Sequence, residues 1–115
     1  LGVVSNKFQE GVTGLNNQFF KEYIDVAIGT QAGLKPKPAP DSLFLAISEL
    51  NLNIEKDQIY YIGDSDVDIL TGRNAKLPVI SVTWGFRTEE ELSKMAPDYL
   101  VATPKEILDI IDNSK

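Results

Sequence analysis

At 115 residues, with 43% apolar and 24% charged side chains, the chain is sized for one globular domain with a modest core. Acids outnumber bases 17 to 11, and the resulting net charge of −6 excludes a basic nucleic-acid groove, though not a small anion held through a cation. With no Cys and no His, disulfides, thiolate nucleophiles, imidazole bases and the usual zinc ligands are excluded, so any chemistry must use carboxylates, hydroxyls, lysines and a hard cation.

Leu1 to Val4 reads as a β-rich run. Gln9 to Phe20 carries Val12, Leu15, Phe19 and Phe20 at spacings that suit an amphipathic helix. Ile24 to Ile28 is a second strand ending at Gly29. The stretch with Gly33, Pro36, Pro38 and Pro40 is then a stiff, extended connector. Asp41 is the expected N-cap of a helix with Leu43, Phe44, Ile47 and Leu50 on one face. Ile59 to Ile62 is the third strand. Asp66 to Ala75 is helical, with Val67, Ile69, Leu70 and Ala75 as packing positions. Pro78 introduces a fourth strand, Val79 to Thr83, and Thr88 caps a short acidic helix through Leu92. Tyr99 to Val101 is the last strand. Thr103-Pro104 opens a helix with Pro at its first position and an apolar stripe of Ile107, Leu108, Ile110 and Ile111. No apolar run approaches the roughly 18 residues of a membrane span. Leu1-Gly2-Val3-Val4 is too short for a signal peptide, so the expected location is cytoplasmic, with neither membrane nor nucleic acid as partner.

Apolar strands alternating with helices predict an α/β fold, a parallel sheet with helices on both faces in three layers. Such sheets bind ligands at the carboxyl ends of their strands. Ser5-Asn6-Lys7 follows the first strand, Lys35 and Lys37 lie after the second, Gly63-Asp64-Ser65 follows the third and Trp84-Gly85-Phe86 the fourth. Asp64 and Asp68 can hold Mg²⁺, which needs few protein carboxylates because it keeps several waters. Alternatively, Asp64 caps the next helix and Asp68 is a solvated first-turn acid. Ser5-Asn6 can bind a phosphoryl group through hydroxyl and backbone N–H, or form a plain turn. Lys37 can neutralise a transferred phosphoryl group, or be an exposed loop lysine. Lys7, Arg73, Trp84 and Arg87 are further candidates for the site rim, with packing or solvated charge as equal alternatives.

Taken in order, these elements resemble the haloacid dehalogenase-like hydrolase superfamily, and within it the phosphoglycolate phosphatase-type branch. The family's Thr/Ser-Asn second motif has its counterpart in Ser5-Asn6-Lys7. Its lysine third motif corresponds to Lys37-Pro38-Ala39-Pro40, and its Gly-Asp-x-x-x-Asp fourth motif to Gly63-Asp64 through Asp68. Val82-Thr83-Trp84-Gly85-Phe86 and Pro97-Asp98-Tyr99-Leu100 also fit the branch. The resemblance spans essentially the whole chain. It implies a Rossmann-like core and a Mg²⁺-dependent phosphomonoester hydrolase acting on a small phosphorylated metabolite through an aspartyl-phosphate. Ser5 would then hydrogen-bond phosphoryl oxygens with the Asn6 N–H. Lys37, or Lys35 in its place, would offset negative charge. Asp64 would ligate Mg²⁺, and Asp68 would act behind it or through water.

The chain departs from the family at its first motif, Asp-x-Asp, whose first Asp is the nucleophile. Asp64-Ser65-Asp66 has that spacing but already serves as the fourth motif. Asp109-Ile110-Ile111-Asp112 lies in the final helix. The cap domain that selects the substrate has no counterpart either. Residues 1–115 are therefore expected to be the carboxyl-terminal portion of such a core, inactive alone. The first-motif strand would lie between the strands of the second and fourth motifs, and its loss leaves a slot for an upstream segment or a second chain. Competing expectations are a non-catalytic α/β module that binds Mg²⁺ or phosphate, and a receiver-type domain, which wants paired acids near its start.

Overall fold

The computed structural model describes residues 1–20 and 22–113, without the side chains of Phe19 and Phe20. Those two apolar positions of the first expected helix thus lie outside the described residues. The chain divides into two units, Leu1–Gln58 and Ile59–Lys115.

In the first unit β1 (Gly2–Phe8) pairs in parallel with β2 (Val26–Thr30). Between them run α1 (Gln9–Leu15) and a π-helical turn, Asn16–Phe20. Both α1 and α2 (Asp41–Glu49) pack on β2, burying Val12, Ile28, Leu43, Ala46 and Ile47. α1 is narrower than its apolar spacing suggests: Val12 is buried, whereas Leu15 stays 40% exposed. β2 begins two residues later than expected and runs through Gly29 to Thr30. Asp41 is the first residue of α2 rather than its cap, and its carboxylate accepts the Lys35 N–H at 3.3 Å.

The second unit is built on a parallel sheet ordered β3 (Tyr61–Gly63), β4 (Val79–Val82), β5 (Tyr99–Val101). Its helices are α3 (Asp66–Asn74), α4 (Glu89–Lys94) and α5 (Pro104–Asn113). All four residues of β4 are buried, as an apolar run in a central parallel strand requires. Successive side chains point to opposite faces. Val79 therefore packs with Ile69 of α3 and Leu92 of α4, while Ile80 and Val82 pack with Val101 and with Ile107 and Ile110 of α5. Burying side chains such as Ile69 and Ile80 contributes roughly 1.5–3 kcal/mol each. Thr88 caps α4 by accepting the Glu91 N–H at 3.2 Å, and Thr103 does the same at 3.4 Å for Glu106 ahead of Pro104. The α5 stripe is only partly used, since Leu108 is 61% exposed.

The strands thus form two parallel sheets where the alternating pattern alone suggests one. Among the described residues β1 has β2 as its ladder partner and β3 has β4, so each keeps one unpaired edge. Ile62 shares the face of its partner Ile80 yet is 43% exposed, because it lies on that open edge. Among the described residues no helix is long and apolar enough to cross a membrane.

Candidate active site

The candidate residues fall into two groups, one in each unit. In the first, β1 is regular as far as Val4, opposite Ile28, and pairs again at Phe8, opposite Thr30. Four steps along β1 match two along β2, so Ser5, Asn6 and Lys7 bulge from the ladder. They lie inside β1 rather than after it, because a strand end judged from apolar residues stops short of a polar bulge. The bulge is fixed from below. Thr30 Oγ1 donates to the Asn6 carbonyl at 2.6 Å, and Gly29 lets the Lys7 carbonyl approach to where a Cβ would sit 2.6 Å away.

Ser5 is half-buried, and its hydroxyl accepts the Lys7 N–H at 3.1 Å, a local turn that orients it. Asn6 reaches across 31 residues. Its Oδ1 accepts the Lys37 N–H at 2.9 Å, and its Nδ2 donates to the Lys37 carbonyl at 3.4 Å. One side-chain amide thus brackets both backbone groups of Lys37, whose peptide bond to Pro38 is cis. The bracket brings Ser5-Asn6 and Lys37 together and passes over Lys35, whose N–H goes to Asp41. The sequence reading used only the backbone N–H of Asn6 and missed this side-chain role. It also missed Gln9, which joins the start of α1 to β2. Gln9 Nε2 donates to the Ala27 carbonyl at 3.0 Å, and its Oε1 accepts the Gly29 N–H at 2.7 Å.

In the second unit β3 delivers Asp64 and α3 delivers Asp68. Ser65, not Asp64, caps α3: its Oγ accepts the Asp68 N–H at 3.3 Å. Nor is Asp68 solvated, being 7% exposed. Its Oδ2 accepts the Asp64 N–H at 3.0 Å and the Ser65 hydroxyl at 3.1 Å, and its Oδ1 accepts the Tyr61 hydroxyl at 3.2 Å. Gly63 makes room for this carboxylate, since a Cβ there would fall on it. Its place in the first turn of α3 also favours negative charge. Burial first, then the Asp68 charge and the hydrogen bond to it, push the Tyr61 phenol far above its ordinary pKa. Tyr61 was not a sequence candidate, although a Tyr in a buried strand must find a partner for its hydroxyl.

Asp64 is half-buried. Its Oδ2 accepts the Phe86 N–H at 3.0 Å, and its carbonyl accepts the Arg87 N–H at 3.1 Å. No donor bonds to Oδ1 among the described residues. This all-oxygen donor set, one carboxylate with an available oxygen and a second fixing its backbone, fits a hard cation that keeps most of its water. No group of three or more Asp, Glu, His or Cys side chains is placed to hold a metal among the described residues. Of the other rim candidates, Arg73 donates to the Met95 carbonyl at 2.6 Å, and Trp84 is half-exposed.

The chain is similar to known proteins in sequence and in fold. Pyrophosphatase PpaX of Listeria welshimeri is 30% identical over 112 residues, 96% of this chain and 51% of its own length. The crystal structure of a "putative phosphoglycolate phosphatase" from Lactobacillus delbrueckii subsp. bulgaricus superposes with a TM-score of 0.90 at 38% identity, covering 96% of this chain and 46% of its own. A haloacid dehalogenase-like family hydrolase of Streptococcus pneumoniae, 23% identical with a TM-score of 0.82 over 96% of this chain and 51% of its own, shares the fold. The chain spans about half the length of the curated relatives it matches. The sequence model of the haloacid dehalogenase-like hydrolases matches residues 1–82, from β1 and its bulge through Asp64 and Asp68 to the end of β4. On that match this chain belongs to the haloacid dehalogenase-like hydrolase family.

Proposed function

We propose that residues 1–115 form the carboxyl-terminal portion of the core of a Mg²⁺-dependent phosphatase, which cleaves a small phosphorylated metabolite through an aspartyl-phosphate. The observation that carries this reading is the Asn6 bracket on Lys37. It joins the two polar segments that phosphoryl transfer needs together, a hydroxyl with N–H donors and a lysine. Such transfer is largely positioning and charge stabilisation, which suits a chain without His or Cys. In this reading the Ser5 hydroxyl and the Asn6 N–H hold phosphoryl oxygens, and the Lys37 ammonium offsets their charge. Asp64 holds the cation through Oδ1, and Asp68 keeps Asp64 in place through its N–H. Bound Mg²⁺ would supply further positive charge and a template for the transferred group.

The nucleophile belongs to an Asp-x-Asp outside these residues. The open edges of β1 and β3 support pairing with an upstream segment or a second chain. A cytoplasmic enzyme goes with this reading.

The test is phosphate release by the whole polypeptide that carries this chain, with phosphoglycolate and pyrophosphate as first substrates, with and without Mg²⁺. Turnover is expected only with Mg²⁺, residues 1–115 alone should show none, and Lys37→Ala should lower kcat/KM on the order of 100-fold. Binding of Mg²⁺ and phosphate by the whole polypeptide without turnover would instead mark a non-catalytic module.

A further inference from the structure

We infer that Gly85 and Arg87 position the Asp64 carboxylate, Gly85 by leaving space for it and Arg87 by locking the loop that holds it. The inference rests on Asp64 being the Mg²⁺ ligand. Asp64 follows β3 and residues 84–87 follow β4, the neighbouring strand, so the loop passes directly by the acid. Two backbone N–H groups grip Asp64 there: Phe86 holds Oδ2 at 3.0 Å and Arg87 holds the carbonyl at 3.1 Å. The approach is so close that a Cβ at position 85 would fall on the Asp64 side chain, so any residue but Gly displaces the carboxylate or the loop.

Arg87 is what ties this loop down. Its Nε donates to Asp66 Oδ1 at 3.2 Å, and a second guanidinium nitrogen lies 3.6 Å from Glu91 Oε2. The guanidinium also sits 4.5 Å from the centre of the Phe86 ring. Asp66 opens α3 and Glu91 lies in α4, so one side chain links the loop to two helices. Each contact is partly exposed and contributes little to folding on its own. Together they fix the backbone whose N–H occupies Oδ2, which leaves Oδ1 presented in one direction. Groups that orient a metal ligand in this way commonly change metal affinity about 10- to 100-fold when removed. A plain surface ion pair at Arg87 would leave metal affinity untouched.

The experiment is a calorimetric Mg²⁺ titration of the whole polypeptide carrying this chain, with the Phe86 amide followed by NMR. Gly85→Ala, Arg87→Ala, Arg87→Lys and Asp64→Asn are compared with the unsubstituted protein. Arg87→Ala should weaken Mg²⁺ binding about tenfold and shift the Phe86 amide resonance without metal, while the metal-free melting temperature stays nearly constant. Arg87→Lys should recover part of the affinity, because an ammonium reaches one carboxylate but lacks the fork. Gly85→Ala should weaken binding at least as much. If Arg87→Ala binds Mg²⁺ as tightly as the unsubstituted protein while Asp64→Asn does not bind, the positioning role is wrong and the Asp64 site stands. If Asp64→Asn binds unchanged, or the unsubstituted polypeptide takes up no Mg²⁺, the Asp64 reading falls and the positioning role with it.

Discussion

In the first unit an exposed neutral amide holds the candidate site together, whereas in the second a buried carboxylate does. Asn6 brackets Lys37 from 31 residues away, in contact with water. Asp68 gathers an N–H, a hydroxyl and a phenol within seven residues, almost wholly out of water. When a water-accessible bond is lost, solvent takes over both partners, so the net contribution is only about 0.5–1.5 kcal/mol. A buried acceptor that disappears strands its donors, each at about 1–3 kcal/mol. The two groups should therefore respond to substitution in opposite currencies, the first in geometry and the second in stability.

Asp68→Ala is the sharpest way to break this contrast. It leaves the Asp64 N–H, the Ser65 hydroxyl and the Tyr61 phenol without their acceptor. The expected loss is about 3 kcal/mol, after allowing for partial access of water at the half-buried donors. Urea unfolding measures it directly. A loss below about 1 kcal/mol would mean that the donors find other partners, and the difference between the units would collapse.

Tyr61→Phe is a smaller perturbation of the same network, costing about 1 kcal/mol near neutral pH through one lost hydrogen bond. Its distinctive signature is alkaline. Folding raises the Tyr61 pKa, through burial first and then through Asp68. A phenol raised in this way stabilises the fold fully below its unfolded pKa of about 10, and that contribution is lost as pH climbs above it. Unfolding curves at pH 8 and pH 11 should show the unsubstituted protein losing more stability than Tyr61→Phe. Equal losses would place the phenol in solvent.

How far the sequence reveals this molecule depends on how local each cause is. β5 and the start of α5 match their expected residues, because Thr103, Pro104 and the short apolar run act over a few positions. The capping role of Thr88 is legible for the same reason. β1 extends to Phe8 because its bulge is set by β2, 20 or more residues on, which no local pattern reports. Phe44 and Leu108 carry helical spacing yet remain exposed, since spacing gives a direction and not a partner. In the site, motif order picks out Ser5, Lys37, Asp64 and Asp68 as candidates. It does not say that Asn6 acts through its side chain, that Tyr61 serves Asp68, or that Arg87 reaches Asp66. Those depend on juxtapositions that exist only in the folded chain.

The gentlest test lies at Asn6, where the contrast predicts a small stability effect and a large functional one. Asn6→Ala removes two exposed hydrogen bonds that water can replace, so stability should fall by less than about 1 kcal/mol. The Lys37 backbone would lose both of its bonds to Asn6, and its amide should exchange faster with solvent. Asn6→Asp separates the two bonds. Its carboxylate can still accept the Lys37 N–H, but it has nothing to donate to the Lys37 carbonyl and sets negative charge against it. Phosphate release by the whole polypeptide should therefore fall for both variants, about tenfold or more in kcat/KM, with melting temperatures close to the unsubstituted value. If Asn6→Ala instead destabilises as strongly as Asp68→Ala, the bracket is part of the fold's foundation, and unit 1 works by the same buried logic as unit 2.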